Sequence, residues 1–260
     1  MSKSERPKVV AIIPARYKSV RFPGKVIALL AGRPLVAHTY SRTKQAERVD
    51  DVIVAIDDKR VEAALLPLGI PTRMTRPSHV SGTDRIAEVA EGLDADIVVN
   101  VQGDEPLIDP ATIDAAVQAL LDQPGIPMAT ARCRITEQHM VADPNVVKVV
   151  TDCNGRALYF SRHAIPYIRE ESDVAHAATC YWQHIGLYVF RRDFLLKYAA
   201  MKPTALEQLE RLEQLRVLEN GYPIAVIDTE YRSLGVDTPS DLDAVNVMMK
   251  NSAMKGPLNA

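Results

Sequence analysis

Four basic side chains cluster in a short segment near the start of the chain: Arg16, Lys18, Arg21 and Lys25. They directly follow the apolar run from Val9 to Ile13, which is typical of a buried strand. Because α/β sheets bind ligands beyond the carboxyl ends of their strands, the position of these cations favours binding of a polyphosphate. A solvated basic loop is the alternative. The spacing does not fit a Walker phosphate loop, and the chain contains no GxG dinucleotide fingerprint.

Two acidic residues from distant parts of the sequence are candidates to hold a metal ion. Asp104 follows a strongly apolar run, within the segment from Asn100 to Pro106. Asp237 precedes the last helix, whose capping is explained by Thr238 to Asp241 alone. Carboxylates bind Mg2+, which bridges to phosphates, so the pair predicts a metal site for nucleotidyl transfer. A turn that only ends the strand is the alternative for Asp104.

Two further segments carry polar groups that also have a structural explanation. Ser81 or Thr83 caps the following helix, and the free N–H groups of such a helix end can also face a base or a phosphate. The segment from Leu206 to Arg216 predicts a helix with a buried leucine stripe. One face of that helix carries Glu210, Glu213 and Gln214. This face is either solvated or presents oxygens to a polyhydroxylated sugar.

The elements that must position these residues alternate between strand and helix in the first half of the chain. The predicted strands are Lys8 to Pro14, Asp51 to Ile56, Thr72 to Thr75 and Ala95 to Gln102, and the predicted helices are Pro34 to Glu47, Val61 to Leu66, Thr83 to Gly92 and Pro110 to Leu121. This order, with strands that are apolar on both faces, predicts an α/β fold with a mostly parallel sheet between helices.

The second half departs from this alternation and predicts an antiparallel insertion. The predicted strands are Met128 to Arg134, Val146 to Asp152, Arg156 to Ser161, His184 to Phe190 and Ile224 to Asp228, and the predicted helices are Ala205 to Asn220 and Pro239 to Met249. Asn154 and Gly155 supply a hairpin turn. We therefore expect a single α/β domain over residues 1–250, with an inserted region at about 128–200 and a flexible tail at 251–260.

Composition excludes several classes of protein. Hydrophobic residues make up 47% of the 260 positions, charged residues make up 25%, and the formal net charge is −2. These values are typical of a globular protein and do not favour nucleic acid or a membrane surface as a partner. No secretory signal or membrane-spanning run is present, which predicts a cytoplasmic protein. Three widely spaced cysteines, Cys133, Cys153 and Cys180, predict reduced thiols.

Taken together and in this order, the segments closely resemble the 3-deoxy-manno-octulosonate cytidylyltransferase family. The matching stretches are IIPARYKSVRFPGK, MTRPSHVSGTDR, VNVQGDEP, NVVKVV, ALYFSRHAIP, HIGLYVF, LERLEQLR and GVDTPSDL, and they extend from Val9 to about Val245. The resemblance implies an enzyme with a Rossmann-like nucleotidyltransferase fold. It further implies that the anomeric hydroxyl of the keto-acid sugar Kdo attacks CTP, giving CMP-Kdo and pyrophosphate for lipopolysaccharide biosynthesis. It also implies a homodimer, and an inserted region that serves dimerisation and sugar binding.

The resemblance also implies roles for individual residues. Arg16, Arg21 and Lys25 match the triphosphate loop, Asp104 and Asp237 match the Mg2+ ligands, Arg76 and Ser81 match nucleotide contacts, and Gln102, Arg162, His184, Tyr188, Glu213 and Gln214 match the sugar side. Among these, Arg16, Lys25, Asp104 and Asp237 are the implied catalytic residues. For His184, a strand histidine satisfied by a neighbouring side chain is the alternative.

The sequence departs from the family pattern at three single positions and in the stretch Tyr231 to Leu234, which lacks the small Pro-Gly-Thr sequence often seen there. Val20 replaces a threonine, which removes a hydroxyl from the loop, Phe22 replaces a leucine, and Val80 replaces a glutamine. Two other functions stay open. In the first, the enzyme acts on a different sugar acid, either 8-amino-Kdo or sialic acid. In the second, the chain is a nucleotide-binding regulator without activity. The intact acidic pair and basic loop disfavour the regulator.

Overall fold

The computed structural model describes residues 6–19, 21–79, 81–170 and 180–254, so Val20 and Val80 lie outside the described residues. The strands are β1 (Val9–Ala15), β2 (Leu29–Leu30), β3 (Arg33–Pro34), β4 (Asp51–Ile56), β5 (Thr72–Met74), β6 (Ile97–Asn100), β7 (Met128–Arg134), β8 (Lys148–Thr151), β9 (Ala157–Ser161), β10 (Trp182–Arg191) and β11 (Ile224–Asp228). The α-helices are α1 (Leu35–Thr43), α2 (Lys59–Leu65), α3 (Gly82–Glu91), α4 (Pro110–Asp122), α5 (Gln138–Ala142), α6 (Arg192–Ala199), α7 (Ala205–Glu210), α8 (Leu215–Glu219) and α9 (Pro239–Met254).

The described residues form two compact units. The first contains the chain up to Ala95, the segment Asn100–Pro110 and the residues from Ser233 onward, and the second contains Asp96–Val99 and Ala111–Arg232. The predicted single domain with a dimerisation insertion at about 128–200 stays a prediction. Among the described residues, no helix is long and apolar enough to cross a membrane.

The first unit is built on parallel strands. β1 pairs with β4, and β4 pairs with β5, both in parallel register. β1 is buried along almost its whole length, because its valine, isoleucine and alanine side chains pack on both faces of the sheet. Its last residue is Ala15, so the basic loop begins where the sequence places it.

Two glycines bring the backbone of the first unit close together at the end of β1. Gly24 has a φ of 73° and donates its N–H to the Tyr17 carbonyl at 2.9 Å, which closes the basic loop. A Cβ added at Gly103 would lie 2.7 Å from the Pro14 carbonyl oxygen. Only glycine allows this approach, and it brings the Asp104 segment directly beside β1.

The first unit also has a small core under its last segment. Leu30, Leu35, Val236 and Val245 are buried together, and Phe22 packs against them. Phe22 therefore anchors the basic loop through apolar contact. This core fixes the position of the chain just before α9.

The second unit combines both strand directions. Its strand order is β11, β7, β10 and β6, with β11 parallel to β7 and β10 antiparallel to it. β8 pairs with β9 as an antiparallel hairpin, whose turn uses Gly155 at a φ of 73°. The predicted α/β class with antiparallel strands in the second half is confirmed. Cys133 is a buried thiol and Cys153 an exposed one.

Three predicted helices differ from the structure. The helix expected from Pro34 to Glu47 ends at Thr43, and Pro34 lies in extended backbone that pairs with Leu29. The helix expected from Ala205 to Asn220 is wrong, because Arg211 adopts a left-handed φ of 54° and separates α7 from α8. Leu209, expected in its buried stripe, is 80% exposed. The last helix extends to Met254, beyond the predicted Met249.

Candidate active site

One lysine joins the two predicted metal ligands in the first unit. The Nζ of Lys25 donates to Asp104 Oδ2 at 2.6 Å and to Asp237 Oδ1 at 2.9 Å. Arg21 Nη2 donates to the other oxygen of Asp237 at 2.8 Å. Lys25 is 9% exposed, whereas the Arg21 side chain faces solvent. The structure therefore brings together the basic loop and both acidic segments, as the sequence predicts.

Local backbone contacts explain why the two carboxylates meet. The Val236 N–H donates to the Asp104 carbonyl at 2.9 Å, which ties the last segment to the loop after β6. Asp241 then accepts from the Thr238 N–H at 2.8 Å, while Thr238 Oγ1 accepts from the Asp241 N–H at 3.2 Å. This reciprocal pair is the predicted helix cap, and it leaves the Asp237 carboxylate directed at Lys25.

The charges of the cluster stabilise one another. Burial acts to lower the pKa of Lys25, but Asp104 and Asp237 together outweigh burial and raise that pKa. Burial also acts to raise the pKa of Asp237, and Lys25 and Arg21 outweigh it and lower that pKa. Lys25 is therefore a firmly protonated ammonium at neutral pH, and Asp237 beside it is ionised.

The donor set of this cluster fits a divalent cation. Both carboxylates lie within 2.9 Å of the same nitrogen, so they already converge on a positive charge. A hard cation such as Mg2+ is commonly bound by one or two carboxylates, with substrate phosphates and water completing its coordination. Among the described residues there is no group of three or more acidic, histidine or cysteine side chains suited to a metal, so Asp104 and Asp237 would need such added ligands.

A further set of contacts holds the basic loop in place. No role is assigned to the residues of this set from the sequence alone. Asp57 accepts from the Tyr17 N–H at 2.9 Å and from Arg85 Nη2 at 3.1 Å. The guanidinium of Arg60 lies 3.6 Å from the centre of the Tyr17 ring. Arg16, in contrast, is exposed beside this set of contacts. The available signal was the position of Asp57, directly after the buried strand β4.

The two predicted nucleotide contacts lie around α3. Ser81 Oγ accepts from the Asp84 N–H at 3.0 Å, so its capping role is confirmed. Arg76 is mostly exposed and donates from its backbone and its Nε to Glu88, at 3.2 and 3.3 Å. His79 also bonds to this carboxylate. Contact of Arg76 and Ser81 with a nucleotide stays a prediction.

The predicted sugar-side residues divide between the units. Gln102 belongs to the first unit and donates to Asn100 Oδ1 at 3.0 Å. In the second unit, His184 and Tyr188 lie on β10 with ring centres 5.4 Å apart. His184 Nε2 is 2.9 Å from Thr130 Oγ1, so the histidine has the neighbouring partner that the alternative explanation required.

Burial decides the charge of these two side chains. It lowers the pKa of His184 to about 3, so the imidazole is neutral at physiological pH. Burial, assisted by Glu213, raises the pKa of Tyr188. Both groups therefore act as neutral hydrogen-bonding partners.

Glu213 and Gln214 lie in the break between α7 and α8, so they do not share a helix face with Glu210 as the sequence predicts. Gln214 is 2% exposed, and its Oε1 accepts from the Tyr188 hydroxyl at 3.2 Å. Among the described residues, its buried Nε2 has no hydrogen-bond partner.

Arg162 is engaged in structural contacts. Its Nε donates to the Glu210 carbonyl at 2.8 Å, and its Nη1 donates to the Pro144 carbonyl at 2.9 Å. The Glu210 carboxylate in turn accepts from Ser161 Oγ at 2.6 Å and from the Arg162 N–H at 2.9 Å. These contacts fasten β9 to the end of α7, and contact of Arg162 with a sugar stays a prediction.

Comparison with known proteins gives a consistent result. The cytidylyltransferase family matches residues 10–228. The chain is 53% identical to 3-deoxy-manno-octulosonate cytidylyltransferase of Solibacter usitatus, over 96% of this chain and 97% of that protein. It is 55% identical to the enzyme of that name from Pelobacter propionicus, over 90% and 94% of the two chains.

Solved structures agree with these matches. CMP:2-keto-3-deoxy-manno-octonic acid synthetase, solved in complex with CTP, superposes with a TM-score of 0.88 at 42% identity, covering 94% of this chain and 99% of that one. The 4-diphosphocytidyl-2C-methyl-D-erythritol synthase of Anaerococcus prevotii, at 15% identity and a TM-score of 0.60 over 94% and 96% of the two chains, shares the fold.

Proposed function

The chain belongs to the 3-deoxy-manno-octulosonate cytidylyltransferase family, and we propose that it transfers CMP from CTP to Kdo and releases pyrophosphate. The observation that carries this proposal is the ammonium of Lys25, held between Asp104 and Asp237 beside an exposed basic loop. A site of this composition suits a triphosphate accompanied by a cation.

In the proposed reaction the anomeric hydroxyl of the sugar gives up its proton to water, and its oxygen forms a bond to the α-phosphorus of CTP. The bond from that phosphorus to the bridging oxygen breaks, and pyrophosphate leaves. Arg16, Arg21 and Lys25 hold the triphosphate and neutralise the charge that builds up on its oxygens. The protein needs no nucleophile of its own, because the sugar hydroxyl attacks directly.

Asp104 and Asp237 would hold the divalent cation, which we propose to be Mg2+. When bound, that cation neutralises phosphate charge and makes a coordinated hydroxyl more acidic. Before the substrate binds, the ammonium of Lys25 holds the two carboxylates close to each other. The ammonium then exchanges these partners for phosphate oxygens, so the cluster stays balanced in charge throughout.

For the acceptor, we propose contacts from Gln102, Arg162, His184, Tyr188, Glu213 and Gln214. The neutral state of His184 suits a hydrogen bond to a sugar hydroxyl, and the unpartnered Nε2 of Gln214 suits an acceptor oxygen. On the nucleotide side we propose contacts from Arg76 and Ser81. We further propose a cytoplasmic homodimer that serves lipopolysaccharide biosynthesis, as the family resemblance implies.

Pyrophosphate release measured with purified protein tests the function directly. We expect release only when CTP, Kdo and Mg2+ are all present, and none when any one is omitted. A panel of Kdo, 8-amino-Kdo and sialic acid at fixed CTP identifies the acceptor. A folded protein that releases no pyrophosphate with any of the three would refute the assignment.

A further inference from the structure

The break between α7 and α8 is held by an ion pair that a continuous helix cannot make. Arg216 Nε donates to Glu207 Oε2 at 2.8 Å, and Arg216 Nη2 donates to Glu207 Oε1 at 2.5 Å. In one helix, residues nine apart would be separated by about 13 Å along the axis. The pair therefore forms only when the chain breaks at Arg211, and its formation stabilises that break.

Other contacts hold the same geometry. Glu219, at the end of α8, accepts from the N–H groups of Leu206 and Glu207 at 3.0 and 3.2 Å, so it caps α7. The Tyr198 hydroxyl donates to the Glu213 carbonyl at 2.9 Å, and its ring lies 4.7 Å from the guanidinium of Arg216. The segment between the helices is thus fixed from both sides.

This segment presents the buried amide of Gln214 beside Tyr188. Glu207 and Arg216 are each 8% exposed, so the pair is largely shielded from solvent. A buried, bidentate Arg–carboxylate contact has a defined geometry that lysine or glutamine does not reproduce. The pair therefore fixes the path of the segment that carries Gln214.

We propose that Glu207 and Arg216 are positioning residues for the acceptor sugar. They act through Gln214, whose unpartnered Nε2 is the group that the sugar meets, and not through contact with a substrate. This inference rests on the proposed function. According to this inference, the pair affects the affinity of the enzyme for the sugar acid. The affinity for CTP depends on other residues.

Steady-state kinetics of Glu207→Gln and Arg216→Lys test the proposal, with Kdo varied at saturating CTP and then CTP varied at saturating Kdo. We expect the KM for Kdo to rise about tenfold or more, because small displacements of a positioning group have large effects. We expect the KM for CTP to stay within about twofold of the wild-type value. Tyr198→Phe, which removes one hydrogen bond to the segment, should raise the KM for Kdo about threefold.

Asp228→Asn is the matched control, because Asp228 forms an ion pair with Arg132 in the same unit at 2.7 Å and is mostly exposed. It should leave both KM values unchanged. Thermal unfolding of each variant verifies folding, and Tyr198→Phe carries the test if the buried-charge variants do not fold. Parallel increases in both KM values, or an unchanged KM for Kdo in folded variants, would overturn the positioning role alone. Absence of turnover in the wild-type protein would overturn the proposed function as well.

Discussion

Two clusters of polar side chains, one in each unit, are held in opposite ways. In the first unit, Lys25 lies between Asp104 and Asp237, so every group in the cluster is charged and paired with an opposite charge. In the second unit, His184 and Tyr188 are buried and neutral, and they bond to neutral partners. A charged cluster can exchange its partners for a triphosphate and a cation, whereas a neutral one selects a ligand by shape and hydrogen bonds.

The two clusters also differ in the free-energy cost of removing one of their side chains. Burying a charge is costly unless it is paired, so removing one member of the first cluster takes an opposite charge away from the groups that remain. Removing a neutral group from the second cluster leaves at most an unsatisfied donor or acceptor. We therefore expect substitutions in the charged cluster to have the larger effects on turnover.

The largest effect is expected from Asp104→Asn and Asp237→Asn. Each removes a proposed cation ligand and weakens the hold on Lys25. We expect kcat/KM to fall on the order of 1000-fold, because metal-ion catalysis supplies several kcal/mol to charge stabilisation. Asp109→Asn is the control, since Asp109 lies in the same loop and is 4.0 Å from Arg42. Full turnover in either test variant at saturating Mg2+ would exclude the metal role.

The charged cluster is also the part that could be predicted from the sequence. Arg21 and Lys25 lie in the loop that follows β1, Asp104 lies in the loop that follows β6, and parallel topology brings the loops at the carboxyl ends of such strands together. The break at Arg211 could not be predicted in this way. Every residue from Leu206 to Arg216 is compatible with a helix, and only tertiary contacts, including the pair of Glu207 with Arg216, favour the break.

Lys25→Met is expected to have a smaller effect on turnover. It should also change a second measurable quantity, the affinity for a divalent cation. Turnover should fall about 100-fold, because one preorganised charge near the phosphates is lost. Without the ammonium, Asp104 and Asp237 lose the partner that competes with a cation. The affinity for Mn2+ in the absence of CTP should therefore rise, as measured by calorimetric titration. Lys8→Met is the control, because Lys8 directly precedes β1, at the opposite end of that strand from the basic loop. A lower Mn2+ affinity in Lys25→Met would show that the carboxylates do not form a cation site.

The smallest effect concerns stability, and it distinguishes the neutral cluster from the charged one. The pKa of His184 is about 3 in the folded protein and 6.5 is its ordinary value. Between these values the unfolded chain binds a proton that the folded protein does not, so stability is complete above pH 6.5 and is lost as the pH falls below it. From pH 6.5 to pH 5 the loss from this one group is about 2 kcal/mol.

Urea unfolding of the wild type and of His184→Gln at pH 7 and pH 5 measures this contribution. Glutamine retains a polar partner for Thr130 but takes up no proton, so the variant should lose about 2 kcal/mol less stability than the wild type between the two pH values. His163→Gln is the control, because the His163 side chain is exposed, and its dependence should match the wild type. Equal losses in His184→Gln and the wild type would mean that His184 is protonated in the folded protein. The cluster around His184 would then hold a charge of its own, and the contrast between paired charges and neutral hydrogen bonds would not separate the two clusters.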